Sequence, residues 1–381
     1  MIQAVYVHVP FCEQICHYCD FNKFYYQYQP VDEYLQCCDQ EMKRVTSLYP
    51  PEEIRSIYVG GGTPTALKST ELDKLLSSIA HHFPKRASDI EYTVEINPGN
   101  VGVEELKQLK QRGVNRLSIG AQTFNEQLLK KIGRDHAPGD VERTIKAARK
   151  VGFNNISIDL MYALPGQTLE GFRDTLAEAF RLDVDHVSSY ALKIEAKTVF
   201  YQRWKQGVLP LPSEETEAEM FQVLIEEMEK NGYSQYEISN FAKRGYESVH
   251  NLTYWNNEGY YGVGAGAHSY MGGVRRENLG PLPKYMTSIK EGELPIREEH
   301  HVSKREMMEE EMFMGLRKKA GVSKSMFREK YDIELRKVFA DALDYLTEKG
   351  FIKETDEAVS LTEEGIYFGN DVFEQFLLGE E

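Results

Sequence analysis

Positive charge is scarce in this chain. Across 381 residues, 45 Lys and Arg face 60 Asp and Glu, a formal charge of −15. Nucleic acid phosphates and anionic membrane surfaces are therefore not its natural partners. Long apolar runs are missing too: none approaches the roughly 20 residues that span a bilayer. The opening MIQAVYVHVPFC has no basic segment ahead of its apolar stretch, so a secretory signal is not expected and a cytoplasmic location is. Cysteines number only five, an odd count, and a disulfide framework would need pairs and an oxidising compartment, neither of which is suggested. Glycine- or serine-rich linkers, low-complexity tracts and internal repeats are also absent. What remains has ordinary hydrophobic (41%) and charged (28%) content and length enough for roughly two or three domains with ample cores.

Up to about residue 195 short apolar strands alternate with amphipathic helices. Strands are expected at Ala4–Val9, Ser56–Gly60, Glu91–Ile96, Arg116–Gly120, Asn155–Met161 and His186–Leu192, with helical patterns between them. Six such alternations imply parallel strands, in a barrel or a doubly wound sheet. Ser213–Lys230 reads as a helix with Met220, Phe221, Leu224, Ile225 and Met228 on one apolar face. A Gly-, Tyr- and Asn-rich stretch follows, and from about His300 the chain becomes helical and charged. It ends with two short strands flanking Asp356–Glu357 and a helix capped by Thr362. Helices followed by a β-wing resemble a winged helix. From His301 to Glu381, 12 Lys and Arg against 19 Asp and Glu give −7, which favours a structural or partner-docking module over a DNA-binding regulator.

Cys12, Cys16 and Cys19 form a C-x3-C-x2-C loop directly after the first strand. Three thiolates suit a four-iron cluster with one iron left open to a small molecule. Zinc would need His17 or Asp20 as fourth ligand and usually a second half-motif, which the chain lacks. Cys37 and Cys38 lie in a helical pattern as buried thiols. Alternation along the strands sets Tyr6 and His8 opposite Val5, Val7 and Val9, and likewise Glu95, Gln122 and Asp159 opposite apolar neighbours, near the strand ends where β/α barrels carry their chemistry. Gly60-Gly61-Gly62-Thr63-Pro64 lets backbone N–H groups approach an anionic or zwitterionic ligand. Gly262-Val263-Gly264-Ala265-Gly266 lacks the full G-x-G-x-x-G and its acidic partner, so a dinucleotide site is rejected.

With Tyr6-Val-His-Val-Pro-Phe-Cys12 and Cys16-His-Tyr-Cys19, the chain resembles the radical S-adenosylmethionine (SAM) superfamily, in its oxygen-independent coproporphyrinogen oxidase-like branch. The resemblance implies a partial (β/α)6 TIM-like barrel with a C-terminal helical, winged-helix-like region. It implies a 4Fe–4S cluster on the three cysteines, whose electron cleaves SAM to a 5′-deoxyadenosyl radical. Carried over by position, Tyr6, Gly61, Gly62, Thr63, Glu95, Gln122, Arg134 and Asp159 match SAM-contacting residues, and the Arg134 fork suits a carboxylate.

Two features separate branches of this family. Phe21 stands where the oxidase has an additional cysteine, and no extension precedes the first strand, so decarboxylation of a porphyrinogen is not expected. His250-Asn251-Leu252-Thr253-Tyr254-Trp255 matches the HNxxYW pattern of the HemW heme chaperone branch, and an imidazole beside aromatics suits heme. The resemblance thus implies heme as cargo on His250, with His268, His300 and His301 as further ligand candidates. Met307, Met308, Met312 and Met314 are expected on a core helix face. The implied partners are heme-accepting proteins, respiratory ones among them, and an electron donor for the cluster. Peripheral membrane association and a homodimer stay open. The alternative is a radical SAM enzyme on a tetrapyrrole, an oxidoreductase of the coproporphyrinogen III dehydrogenase type or a methyl transferase. Segments are expected at 1–235 (barrel and flanking helix), 236–295 (connecting region with HNxxYW) and 296–381 (C-terminal region).

Overall fold

The computed structural model describes residues 2–379; Met1, Glu380 and Glu381, at the outer ends of the first and last expected segments, lie outside them. Six parallel strands follow one another in space as in sequence: β1 (Ile2–Val9), β2 (Ile54–Gly61), β3 (Arg86–Ile96), β4 (Arg116–Gln122), β5 (Asn155–Tyr162) and β6 (His186–Ala191). Their outward residues form a dry layer against the helices, with Val5, Val7, Val9, Ile57, Val59, Leu117 and Ile158 fully buried. Inward residues are polar, and the register sets Tyr6 beside Tyr58, Tyr58 beside Thr93 and Thr93 beside Arg116. This is the expected partial barrel.

The crossovers are α1 (Val31–Leu48), α2 (Ser69–His82), α3 (Val103–Gln111), α4 (Glu126–Ile132), α5 (Pro138–Val151) and α6 (Leu169–Arg181). Helix α4 lacks a counterpart in the sequence pattern, being only seven residues long. Its ends are nevertheless well marked: the Asn125 side chain accepts from the Gln127 and Leu128 N–H groups, and Gly133 closes it at φ 78°.

The barrel stays open because other strands occupy both of its edges. Beyond β6 lie β7 (Ser234–Glu237) and β8 (Asn240–Ala242); beyond β1 lie β9 (Gly259–Val263), β10 (His268–Met271), β11 (Val274–Asn278) and β12 (Ile296–His301). Among the described residues all twelve belong to one sheet, and β9 runs parallel to β1. The Gly- and Tyr-rich stretch 236–295 thus supplies strands to the barrel's own sheet. One apolar core runs between the sheet and its helices, the expected helix α7 (Glu214–Lys230) among them, from Val5 to Ile289. A second core, Met312 to Phe376, holds the C-terminal helices against a three-stranded antiparallel sheet built from 322–323, 352–354 and 358–361. Thr362 caps the next helix as expected, accepting from the Gly365 N–H. Among the described residues no helix is long and apolar enough to cross a membrane.

Candidate cluster loop, barrel pocket and mouth cavity

The cysteine loop is anchored on every side. Phe11–Cys12 pairs with Phe24–Tyr25, folding the loop back on itself. His8 Nε2 bonds the Asn22 carbonyl at 2.8 Å, and Asn22 Nδ2 donates to the carbonyls of Ala265 and Gly280 at 2.8 and 2.9 Å. His17 does not point to a metal: its Nδ1 bonds the Lys131 carbonyl at 2.8 Å and its backbone N–H bonds Ile132, docking the loop on the end of α4. Thr63 Oγ1 lies 3.8 Å from Cys12 Sγ, and Arg134 Nη1 lies 3.6 Å from Cys16 Sγ. Burial pushes the Cys12 thiol up to about 12 and the Cys19 thiol up to about 11, and the neighbouring thiols add to both. Such thiols give up their protons to a metal and hardly to water. Among the described residues no three His, Cys, Asp or Glu side chains converge on a single ion. A four-iron cluster sets each thiolate on its own iron, so it does not require that convergence; a zinc ion does.

Behind the loop the barrel holds open space. Tyr6, Tyr58, Glu95, Gln122, Arg134 and Asp159 are all half-buried, while their outward neighbours on the same strands are closed to solvent. Glu95 accepts from Tyr58 OH at 2.8 Å and from the Gly61 N–H at 2.9 Å, and Ser118 Oγ donates to Asp159 at 3.2 Å. Burial pushes the Glu95 carboxyl up to about 7, against those two hydrogen bonds, and burial raises Asp159 as well. Gln122 holds a left-handed backbone (φ 63°) where β4 leaves the sheet, a conformation that costs about 1–3 kcal/mol and gathers at functional sites. A Cβ on Gly60 would lie 2.7 Å from the Glu95 carboxylate, and one on Gly120 2.8 Å from Arg134.

The glycine run works differently from the sequence expectation. The N–H groups of Gly61, Gly62 and Thr63 are all engaged, by Glu95, Val9 and Phe11 respectively. They cannot cradle an anion. The run instead brings β2 close against β1, with Gly61 at φ 110° directly over the His8 ring. The groups left to face a ligand here are the acceptor side chains, which suits an ammonium.

His250 also departs from expectation. It lies on α8 (Val249–Trp255), 1% exposed, inside the barrel. Its Nδ1 bonds Ser56 Oγ at 3.0 Å, its Nε2 bonds Tyr254 OH at 2.8 Å, and its ring stacks 5.1 Å from Tyr58. Burial, reinforced by the Arg116 charge, pushes the imidazole down to about 3. The reason is helical spacing: residues four apart share a face, so His250 and Tyr254 turn inward together. Glu91 pins the helix there, accepting from Ser248 Oγ and from the Val249 and His250 N–H groups at 3.0–3.1 Å. Both ring nitrogens are occupied, so His250 presents no lone pair to an iron outside the barrel. Its ring is buried against the inward rings of Tyr58 and Tyr6. His300 and His301 fare no better, lying on β12 beside Glu306 and Glu299.

A cavity of 810 Å³ opens beside the loop. Tyr6, His8 and the Asp20–Phe24 segment form one side; Tyr254, Trp255 and Tyr260 supply aromatic wall; His268, Arg275 and Arg297 come from the antiparallel strands. Met314 lines it as well, while Met307, Met308 and Met312 pack in the C-terminal core. The expected methionine face therefore holds for three of the four.

Comparison with known proteins agrees with this geometry. The radical SAM superfamily model matches residues 6–179, and the HemN C-terminal domain model matches residues 302–368. The chain is 50% identical over 377 residues to the heme chaperone HemW of Bacillus subtilis, covering 99% of both chains. It is 42% identical to that of Lactococcus lactis, covering 99% of this chain and 98% of the other. The chain belongs to the HemW family. Its fold matches the Escherichia coli coproporphyrinogen III oxidase HemN, a radical SAM enzyme, with a TM-score of 0.87 at 24% identity, over 98% of this chain and 90% of that one.

A radical SAM domain implies a 4Fe–4S cluster and SAM, and the residues present fit both. Three thiols share one anchored loop. Inside the pocket Arg134 gives its Nη1 to Cys16 Sγ and its Nη2 to the Gly120 carbonyl, and its Nε is buried with no partner among the described residues, a donor left for a carboxylate. Several residues of this HemW family site escape the sequence reading. Tyr58 was legible, since it alternates with Ile57 and Val59 on β2 and so must face inward. Glu91 shares that inward parity with Glu95. His8 and Asn22 show their role only once the loop is folded.

Proposed function

We propose that this protein binds heme and hands it to heme-accepting proteins, carrying a 4Fe–4S cluster on Cys12, Cys16 and Cys19 and SAM in the barrel pocket. The observation that carries the reading is the juxtaposition of three sites: the aromatic cavity takes Tyr6 and His8 from the barrel strand and the 20–24 segment from the end of the thiol loop, and His8 bonds both Tyr6 and Asn22. At 810 Å³ the cavity falls in the range of about 300–1,000 Å³ that small-molecule ligands and cofactors occupy. A bound cluster would supply an electron to SAM. The protein's own part is to hold the SAM ammonium among Tyr6, Glu95 and Gln122, to meet its carboxylate with Arg134, and to offer Asp159 to the ribose hydroxyls.

The test is anaerobic reconstitution followed by three assays on one preparation: hemin titration, heme transfer to an apo-hemoprotein, and conversion of coproporphyrinogen III. Heme binding and transfer without porphyrinogen turnover is the expected result. Turnover to protoporphyrinogen IX would make the protein an oxidase despite Phe21. Asp159→Ala should weaken SAM binding and leave the iron content intact; iron loss with unchanged SAM affinity would move Asp159 to the support of the cluster.

A further inference from the structure

His268 has a setting unlike that of the other histidines discussed above. It opens β10, exposed, while the next three residues of the strand are buried. His8, the other histidine lining the cavity, has both ring nitrogens engaged, by Tyr6 OH and the Asn22 carbonyl, each at 2.8 Å. The imidazole of His268 bonds no described residue. An imidazole with no protein partner in an aromatic-walled cavity is the ligand chemistry that heme iron takes.

The cations of the cavity divide in the same way. Arg275 is spent on Glu310, with two bonds of 2.7–2.8 Å, and Arg297 on Glu277 at 2.7 Å. Lys23 donates to the Cys19 carbonyl. Lys197 is exposed, held by a left-handed backbone (φ 68°) on the loop after β6, and has no carboxylate partner among the described residues.

We infer that His268, and not His250, ligates the iron of the cargo heme, and that Lys197 meets a heme carboxylate. The inference rests on the heme-carrier reading and assigns the atoms that perform it. The aromatic side is already braced: Tyr254 and Tyr260 meet edge to face at 4.6 Å, and Arg317 lies 4.5 Å over the ring of Trp255. His250 then acts at one remove, holding Tyr254 in that wall through its Nε2, and is a positioning residue.

Hemin titration of the full-length reconstituted protein decides it. His268→Ala should weaken hemin at least about tenfold, since loss of even an outer-shell partner of a metal costs 10–100-fold. The Soret band should shift, and millimolar imidazole should restore it, a rescue that a merely structural role would not give. The iron–sulfur content and SAM binding of the variant should match the unaltered protein, because the side chain bonds no described residue. Lys197→Glu should weaken hemin with the Soret position kept. Hemin binding and spectrum unchanged in His268→Ala would overturn the inference while leaving the carrier reading standing. So would a ligand signature lost in His250→Ala and kept in His268→Ala. An unaltered protein that fails to bind hemin at all would overturn both.

Discussion

On the parallel strands the inward side chains bond one another: Tyr58 to Glu95, Ser118 to Asp159, Tyr6 to His8. On the antiparallel strands the arginines are spent on carboxylates, Arg275 on Glu310 of the C-terminal region and Arg276 on Glu299 of β12. The first arrangement builds a narrow, preorganised pocket in which acceptors stay half-buried and their carboxyls rise. The second uses up its cations in pairs and leaves one imidazole free beside a wide cavity. The contrast matches what each wall would hold. A small zwitterion needs many fixed partners, whereas a flat apolar macrocycle needs area and one metal bond.

Removing the thiols should break this division most completely. Cys12→Ala, Cys16→Ala or Cys19→Ala should each abolish bound iron, while Cys37→Ala and Cys38→Ala should retain it, measured as iron per chain and brown absorbance after anaerobic reconstitution. Hemin titration should survive in all five, because the antiparallel wall does not depend on the cluster. Loss of hemin binding along with the iron would show that the two walls form one site.

Glu91 is the joint between the walls. It faces Arg116 at 3.9 Å, both nearly buried, and caps α8 with its other bonds. Glu91→Ala strands the Arg116 charge and frees the helix. Breaking a buried pair costs about 3–5 kcal/mol, so thermal unfolding should move down by many degrees. A shift no larger than that of a surface substitution would mean that α8 is held by its apolar contacts alone.

How far this architecture was legible follows from its periodicities. β1 to β6 alternate inward polar with outward apolar residues and are separated by amphipathic helices, so both fold and pocket could be read directly. The added strands β7 to β12 run only three to six residues, too short for a period to show. Their pairing is a long-range fact: β9 joins β1 across some 250 residues of chain. His250 misled because a motif names residues without saying which face of a helix they take. The spacing to Tyr254 and the Ser248 cap contained the answer. His268 carried a weaker signal, an exposed residue beginning a strand whose other members are buried.

The smallest effect concerns how the two walls are registered against each other. Glu41, on α1, is buried and accepts from Tyr285 OH at 2.6 Å, Asn278 Nδ2 at 2.6 Å and the Gly264 N–H at 2.8 Å. It thereby fixes the glycine loop between β9 and β10, and with it the approach to His268. Burial pushes this carboxyl up to about 7, against those hydrogen bonds and the attraction of Arg44. The unfolded chain ionises the same group near 4.5. Between these values the folded state keeps a proton that the unfolded state has lost. Its contribution is therefore fully present below pH 4.5, declines as pH rises, and is gone above 7. The whole change is about 3 kcal/mol. Urea midpoints measured from pH 5 to 8 should accordingly fall with rising pH in the unaltered protein and fall less steeply in Glu41→Gln. The slope is the readout, because Gln also sets an amide N–H among donors and lowers stability at every pH. Equal slopes would mean that Glu41 ionises in the folded chain as it does in water, and that the glycine loop is held by its own backbone.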